Sequence, residues 1–278
     1  MKYSFNTWMF SSAINWLPAY PLKETIERLA RIGYDAVELG CAAPHAWPYY
    51  LDAPKRRDIL SWAKDNNVKF STLLPPSGGG YGLNAASAIR EEREFTVKLC
   101  QDICDLAVEL ECTKLLFVAG WYIFGTSKRE AWKYSLDTLT KVASYANERG
   151  VSVVIEPTAC DSNLIECVED AIMLKEDCGL PNLELMFDTA HAFYRNEPPS
   201  DYVYRLGKEL THVHVTDYNR LAPGQGGYDF REVMQALKDV GFDGYVTMEC
   251  GFAGRGVTVE SVARQALEHL KAVEKTLV

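Results

Sequence analysis

Four residues in the C-terminal half carry the strongest chemical signal. Glu156, Asp188, His214 and Glu249 each close a short apolar run: Val153-Val154-Ile155-Glu156, Leu185-Met186-Phe187-Asp188, His212-Val213-His214 and Val246-Thr247-Met248-Glu249. One acidic residue at the end of such a run serves as a helix N-cap or a surface charge, and two in register serve as ion-pair partners of lysine or arginine. Three carboxylates and an imidazole at four consecutive run ends go beyond both roles. Gathered without a partner, the carboxylates would repel one another and raise their own pKa values. A divalent cation removes that conflict. Three oxygen donors and one nitrogen suit Mn²⁺ first, with Co²⁺ or Mg²⁺ as alternatives, rather than a thiolate-rich zinc site.

The elements that must position these groups repeat from end to end. Strand-like runs cover Tyr3–Thr7, Ala36–Leu39, Val68–Leu74, Lys114–Val118, Val151–Ile155, Leu183–Phe187, Thr211–Val215 and Tyr245–Met248. Near-continuous apolar stretches such as Val153-Val154-Ile155 fit parallel strands covered on both faces. Amphipathic stretches follow the strands, most clearly Leu22–Ile32, Arg90–Leu110, Lys128–Arg149 and Val259–Thr276. Gly33, Gly150 and Gly241 stand between a helical run and a strand, where a left-handed C-cap is wanted. Eight strands alternating with eight helices predict an α/β fold, a single (β/α)8 TIM barrel over residues 1–278. Its metal site would lie at the C-terminal face, where strands end and βα loops begin.

Composition narrows the function classes. A hydrophobic share of 47% supplies a large core, and no apolar run is long enough to span a bilayer. The first residues pass directly into strand-like sequence without a signal-peptide pattern, so a cytoplasmic location is expected. The eight cysteines are scattered, with Cys100, Cys104, Cys112, Cys167 and Cys178 in or beside helical stretches. No C-x-x-C pair occurs, which fits reduced, packed thiols. A net charge of −9 without a basic run argues against nucleic acid as a partner.

The segments around the four residues carry a resemblance. Ile155-Glu156-Pro157, Phe187-Asp188-Thr189-Ala190-His191, His212-Val213-His214, Asn219-Arg220 with Pro223-Gly224-Gln225-Gly226, and Met248-Glu249 resemble the xylose-isomerase-like barrel superfamily. Within it they are most similar to ketose 3-epimerases of the tagatose/psicose type. Pro44-His45-Ala46, Asp161-Ser162-Asn163 and Ala263-Arg264-Gln265-Ala266-Leu267-Glu268 look closer to fructosamine (fructoselysine-type) 3-epimerases. The resemblance implies one divalent cation held by Glu156, Asp188, His214 and Glu249, with Glu156 and Glu249 doubling as the catalytic acid/base pair. It implies that His191 and Arg220 hold the oxygens of a small-molecule sugar, and that the chain forms a homo-oligomer, dimer or tetramer. Ketohexose epimerases commonly carry a glutamate six residues after the first metal-binding glutamate. Here Ser162 occupies that place, with Asp161 beside it as a substitute.

The chemistry fits the residue types. Epimerising a carbon next to a ketone means removing a weakly acidic proton and returning it to the opposite face. A cation on the carbonyl stabilises the enediolate, and two facing carboxylates exchange the donor and acceptor roles. An aldose–ketose isomerase, an inosose-type dehydratase and a subunit that cleaves sugar conjugates begin in the same way. Abasic-site endonucleases share the superfamily but resemble a three-metal cluster with more histidines than the five present here. A non-catalytic sugar-binding barrel is the remaining alternative.

Weaker signals surround this constellation. His212 is expected to face away from the barrel interior, and Cys250 to pack. His45 and Trp121 are candidate substrate contacts after the second and fourth strands, with loop packing and pocket walling as the plain readings. Trp8, Tyr122 and Phe124 invite the same pair of readings. Glu38 ends the second strand, either reaching the pocket or serving as an N-cap or ion-pair partner. The glycine-rich stretch from Ser77 to Gly82 lacks a P-loop lysine and is expected to form a lid. The Gly224–Gly227 stretch is expected to contact substrate.

Overall fold

Runs of apolar and β-branched residues become parallel strands, and the amphipathic stretches between them become the helices that cover the strands. The computed structural model describes residues 1–11, 19–76, 83–251 and 257–278. The strands are β1 (Lys2–Asn6), β2 (Ala36–Gly40), β3 (Lys69–Leu74), β4 (Lys114–Val118), β5 (Ser152–Glu156), β6 (Leu183–Asp188), β7 (Leu210–Val215) and β8 (Tyr245–Met248). They close in sequence order, with β1 pairing in parallel with both β2 and β8. Closure leaves no strand edge unpaired. The described helices are α1 (Leu22–Ile32), α2 (Ala53–Asp65), α3 (Arg90–Glu109), α4 (Lys128–Asn147), α5 (Val168–Cys178), α6 (Thr189–Tyr194), α7 (Pro199–Leu206), α8 (Arg231–Asp239) and α9 (Val259–Glu274).

Local chemistry sets the boundaries. α4 opens on a capping box in which Ser127 and Glu130 satisfy each other's backbone N–H groups. α1 stops at Gly33, whose φ of 105° only a glycine adopts without strain. One expectation changes here: β6 and β7 are joined by two helices, not one. Asp188 caps α6 directly, and the chain then breaks at Asn196 (φ 57°) and Pro198 before α7 starts. None of the described helices is long and apolar enough to cross a membrane.

The barrel interior is divided into two halves. Leu74, Leu116, Val154 and Met186, from β3 to β6, form a small apolar cluster with Trp8 and Val118 packed against it. The other half is polar. Ser4 and Asn6 of β1, Glu38 of β2, His212 and His214 of β7 and Thr247 of β8 are all fully buried. His212 is therefore corrected: it faces inward with His214, because residues two apart on a strand share a face. Cys250 is buried in the core as a packing residue. The stretch from Ser77 to Gly82, expected to form a lid, lies outside the described residues.

Register places the chemistry at one end. Val118 pairs with Glu156, Asp188 with His214, and Val215 with Met248 just before Glu249. Beside them the Trp8 ring rests on the backbone of Gly40, where an added Cβ would lie 2.0 Å from Trp8 Cδ1. We therefore expect Gly40→Ala to push the ring aside and cost about 1–3 kcal/mol, as overpacking does. Chemical denaturation followed by tryptophan fluorescence checks this, and unchanged stability with an unchanged spectrum would show that the ring needs no such space.

Candidate metal and substrate site

The ends of β5, β6, β7 and β8 gather Glu156, Asp188, His214 and Glu249 so that one ligand atom of each lies within 4.8 Å of the others. The histidine is central: His214 Nδ1 is 3.5 Å from Glu156 Oε1 and 3.2 Å from Glu249 Oε2. Asp188 combines its two readings. Its Oδ1 accepts from the Ala190 N–H and caps α6, while its Oδ2 accepts from Arg220 Nη1 at 2.7 Å. Arg220 Nη1 also donates to Glu249 Oε2 at 2.8 Å. The guanidinium thus spans two of the three carboxylates.

Whether this donor set fits a cation is decided by its unused atoms. Glu156 Oε1 and His214 Nδ1 are buried within the cluster and make no hydrogen bond among the described residues. Leaving such atoms unpaired costs about 1–3 kcal/mol each. Two orphaned electron-pair donors beside two carboxylates are what a divalent ion with mixed oxygen and nitrogen ligands requires. The residues fit the group.

Electrostatics separates the two glutamates. Burial raises the Glu156 carboxyl above its ordinary range, against the pull of His214. Burial works the same way on Glu249, but the charges of His214 and Arg220 and the Arg220 hydrogen bond outweigh it and hold that carboxyl well below its ordinary range. His214 is pushed above its usual value by the surrounding carboxylates, Glu38 first, in spite of burial.

A cavity of about 600 Å³ opens over the cluster. Trp8, Met9, Leu74 and Val118 form an apolar wall; Glu156, Asp161, His191, Arg220 and Glu249 supply polar groups. His191 is buried on α6, and its Nδ1 accepts from the Cys160 N–H at 3.2 Å. The other nitrogen, Nε2, must then carry the hydrogen. It lies 3.8 Å from Glu156 and 3.7 Å from Asp161, facing the cavity as a donor. Asp161 Oδ2 lies 3.5 Å from Arg220 Nη2, whereas Ser162 turns away to accept from Thr158 Oγ1.

Two candidate contacts sit elsewhere. His45 does not line this cavity: its Nε2 is engaged with the Tyr20 carbonyl at 2.8 Å, the loop-packing role. Trp121 is also outside the lining, its main chain fastened on both sides by Asn84. The Gly224–Gly227 stretch also lies outside the cavity lining. The amides of Gly224, Gly226 and Tyr228 all donate to buried Asp217, so the loop wraps a carboxylate of its own chain. This loop and the left-handed Asn219 and Arg220 (φ 59° each) set the guanidinium over the cluster. Asn6 and Glu38, treated below, are the site residues that the sequence left unassigned.

Residues 26–273 match the family profile described as xylose isomerase-like TIM barrel. The chain belongs to that family. Among curated relatives of this xylose isomerase-like barrel, fructoselysine 3-epimerase of Escherichia coli O157:H7 is 26% identical over 91% of this chain and 94% of the relative. D-psicose 3-epimerase of Ruminiclostridium cellulolyticum is 27% identical over 86% of this chain and 81% of its own. A crystal structure of D-psicose 3-epimerase in the presence of D-fructose superposes with a TM-score of 0.85 at 19% identity, covering 99% of both chains.

In the metal-free protein Arg220 is the cation that pairs Asp188 and Glu249. Arg220→Gln should destabilise that form by about 2 kcal/mol, below the 3–5 of a fully buried pair because the guanidinium is 33% exposed. Adding Mn²⁺ should narrow the gap, since the ion supplies the missing charge. Urea unfolding with and without Mn²⁺ measures both; equal stability of variant and parent in the metal-free form would refute the pairing.

Proposed function

We propose that this chain is a divalent-metal-dependent sugar epimerase that inverts C3 of a ketose or ketose derivative. The observation that carries the reading is the placement of Glu156 and Glu249 carboxylate oxygens at 3.5 and 3.2 Å from His214 Nδ1, in a cavity that also receives Arg220 and His191. Two carboxylates from β5 and β8 supply the pair of bases that inversion through an enediolate needs. The names of the relatives, fructoselysine and D-psicose 3-epimerases, support the same chemistry.

Glu156, Asp188, His214 and Glu249 would hold the ion, with Mn²⁺ as the first choice and Co²⁺ or Mg²⁺ as alternatives. When bound, the ion supplies Lewis-acid polarisation of the ketone and its neighbouring hydroxyl. The chain does the rest. One glutamate takes the C3 proton from one face as the other returns a proton to the opposite face. His191 Nε2–H and the Arg220 guanidinium donate to substrate oxygens and fix the plane of the sugar. Trp8, Met9, Leu74 and Val118 exclude water on the other side. Asp161 places a carboxylate at the wall where Ser162 stands in the glutamate position.

Incubation in D₂O with free ketohexoses and fructosamines should give the C3 epimer carrying deuterium at C3, and NMR locates it. Deuterium at C1 with aldose formation would instead make the chain an aldose–ketose isomerase. Glu156→Gln and Glu249→Gln should each lower kcat by about 10²–10⁴, the usual contribution of a general acid/base group. Wild-type turnover in either variant, with the metal still bound, would remove that residue from proton transfer.

A further inference from the structure

Beneath the cluster, Glu38 is fully buried and serves three partners at once. Its Oε2 lies 2.9 Å from both His212 Nε2 and His214 Nε2. Its Oε1 accepts from Asn6 Nδ2 at 2.8 Å, and the same Nδ2 also donates to Glu249 Oε1 at 3.0 Å. The Asn6 amide cannot be reversed in place. Its Oδ1 accepts from the Trp8 N–H, which can only donate, so the nitrogen must be the atom that faces Glu38 and Glu249.

We propose that Glu38, acting with Asn6, is a positioning residue that fixes two of the four candidate ligands, His214 and Glu249, in binding-ready orientation. The inference rests on the metal reading of the site above. In the neutral ring that a bound cation requires, a carboxylate at Nε2 selects the tautomer of His214 that carries its hydrogen there, which leaves Nδ1 as the ligand atom beside Glu156 and Glu249. The amide bridge holds one oxygen of Glu249 down and leaves Oε2 free for the cluster and Arg220. Neither Glu156 nor Asp188 hydrogen-bonds to Glu38 or Asn6, so the support is one-sided and belongs to β1, β2, β7 and β8. His212 donates to the same carboxylate oxygen and keeps Glu38 from turning toward the apolar half of the barrel. Partners of this kind typically set about 10–100-fold in metal affinity.

Glu38→Gln keeps the shape and breaks the pattern. Its amide nitrogen either meets the Asn6 donor or faces the two imidazoles, where it is accommodated only if the rings move their hydrogens to Nδ1, the atom of His214 that would bind the ion. Direct Mn²⁺ titration by electron paramagnetic resonance, at a temperature where every variant is folded, should give about 10–100-fold weaker binding for Glu38→Gln. Asn6→Ala should weaken binding in the same titration while leaving the His214 ¹⁵N signals of the metal-free protein in place; Glu38→Gln should move them. A merely structural role would lower the thermal midpoint and leave the affinity and the imidazole signals alone. Glu38→Gln within about twofold of the parent affinity would overturn the proposal. If that variant does not fold, Asn6→Ala with parental affinity overturns it equally. A parent protein that takes up no Mn²⁺, Co²⁺ or Mg²⁺ at all would remove the metal reading itself, a result distinct from equal affinities.

Discussion

Three carboxylates held at the mouth of one parallel barrel impose the constraint around which the molecule is built. Register brings Glu156, Asp188 and Glu249 to the same level as His214, and their ligand atoms come within 4.8 Å of one another. Negative charge at that density is costly in a buried setting unless cations face it. Among the described residues, Arg220 faces two of the carboxylates as a cation. Among the described residues Glu156 Oε1 and His214 Nδ1 keep no hydrogen-bond partner, and that deficit is the structural argument for an ion.

The division of the barrel interior follows from this constraint. On the side of β3 to β6, Leu74, Leu116, Val154 and Met186 fill space with side chains that need no partners. On the side of β7, β8, β1 and β2, burial is occupied by Glu38, His212, His214, Asn6 and Thr247. Such a network stabilises only when its members are satisfied. Glu38 meets that condition by accepting from two imidazoles and one amide. Burial would raise its carboxyl, yet the neighbouring histidines bring it below the usual range. The cost of a polar half-core is repaid as orientation at its upper end, where His214 and Glu249 must point one way.

Much of this was legible in the residues, for physical reasons that can be named. A parallel strand covered on both faces is apolar along its length, so β4 and β8 show their limits in sequence, and a charged residue closing such a run marks the end of the barrel. That is why Glu156, Asp188 and Glu249 stood out. His212 faces inward, against the expectation from sequence, because the strand period of two puts it on the same face as His214. Asn6 carries no such mark: a polar residue at a strand end is common, and its value lies in contacts with residues 32 and 243 positions away. Asp217 and the glycines it gathers were opaque for a similar reason. Gly224 and Gly226 look like a ligand-binding loop until their amides are seen to point at a carboxylate inside the protein. His45 and Trp121 sit on βα loops, whose ends are set by particular anchors, Tyr20 and Asn84, that no periodicity predicts.

Anomalous diffraction from crystals grown with Mn²⁺ tests the central claim most directly. The account predicts one strong peak within about 2–2.5 Å of Glu156, Asp188, His214 Nδ1 and Glu249, with Arg220 turned away from Asp188 to make room. A fully ordered site with no anomalous peak, Arg220 still bridging Asp188 and Glu249, would contradict it.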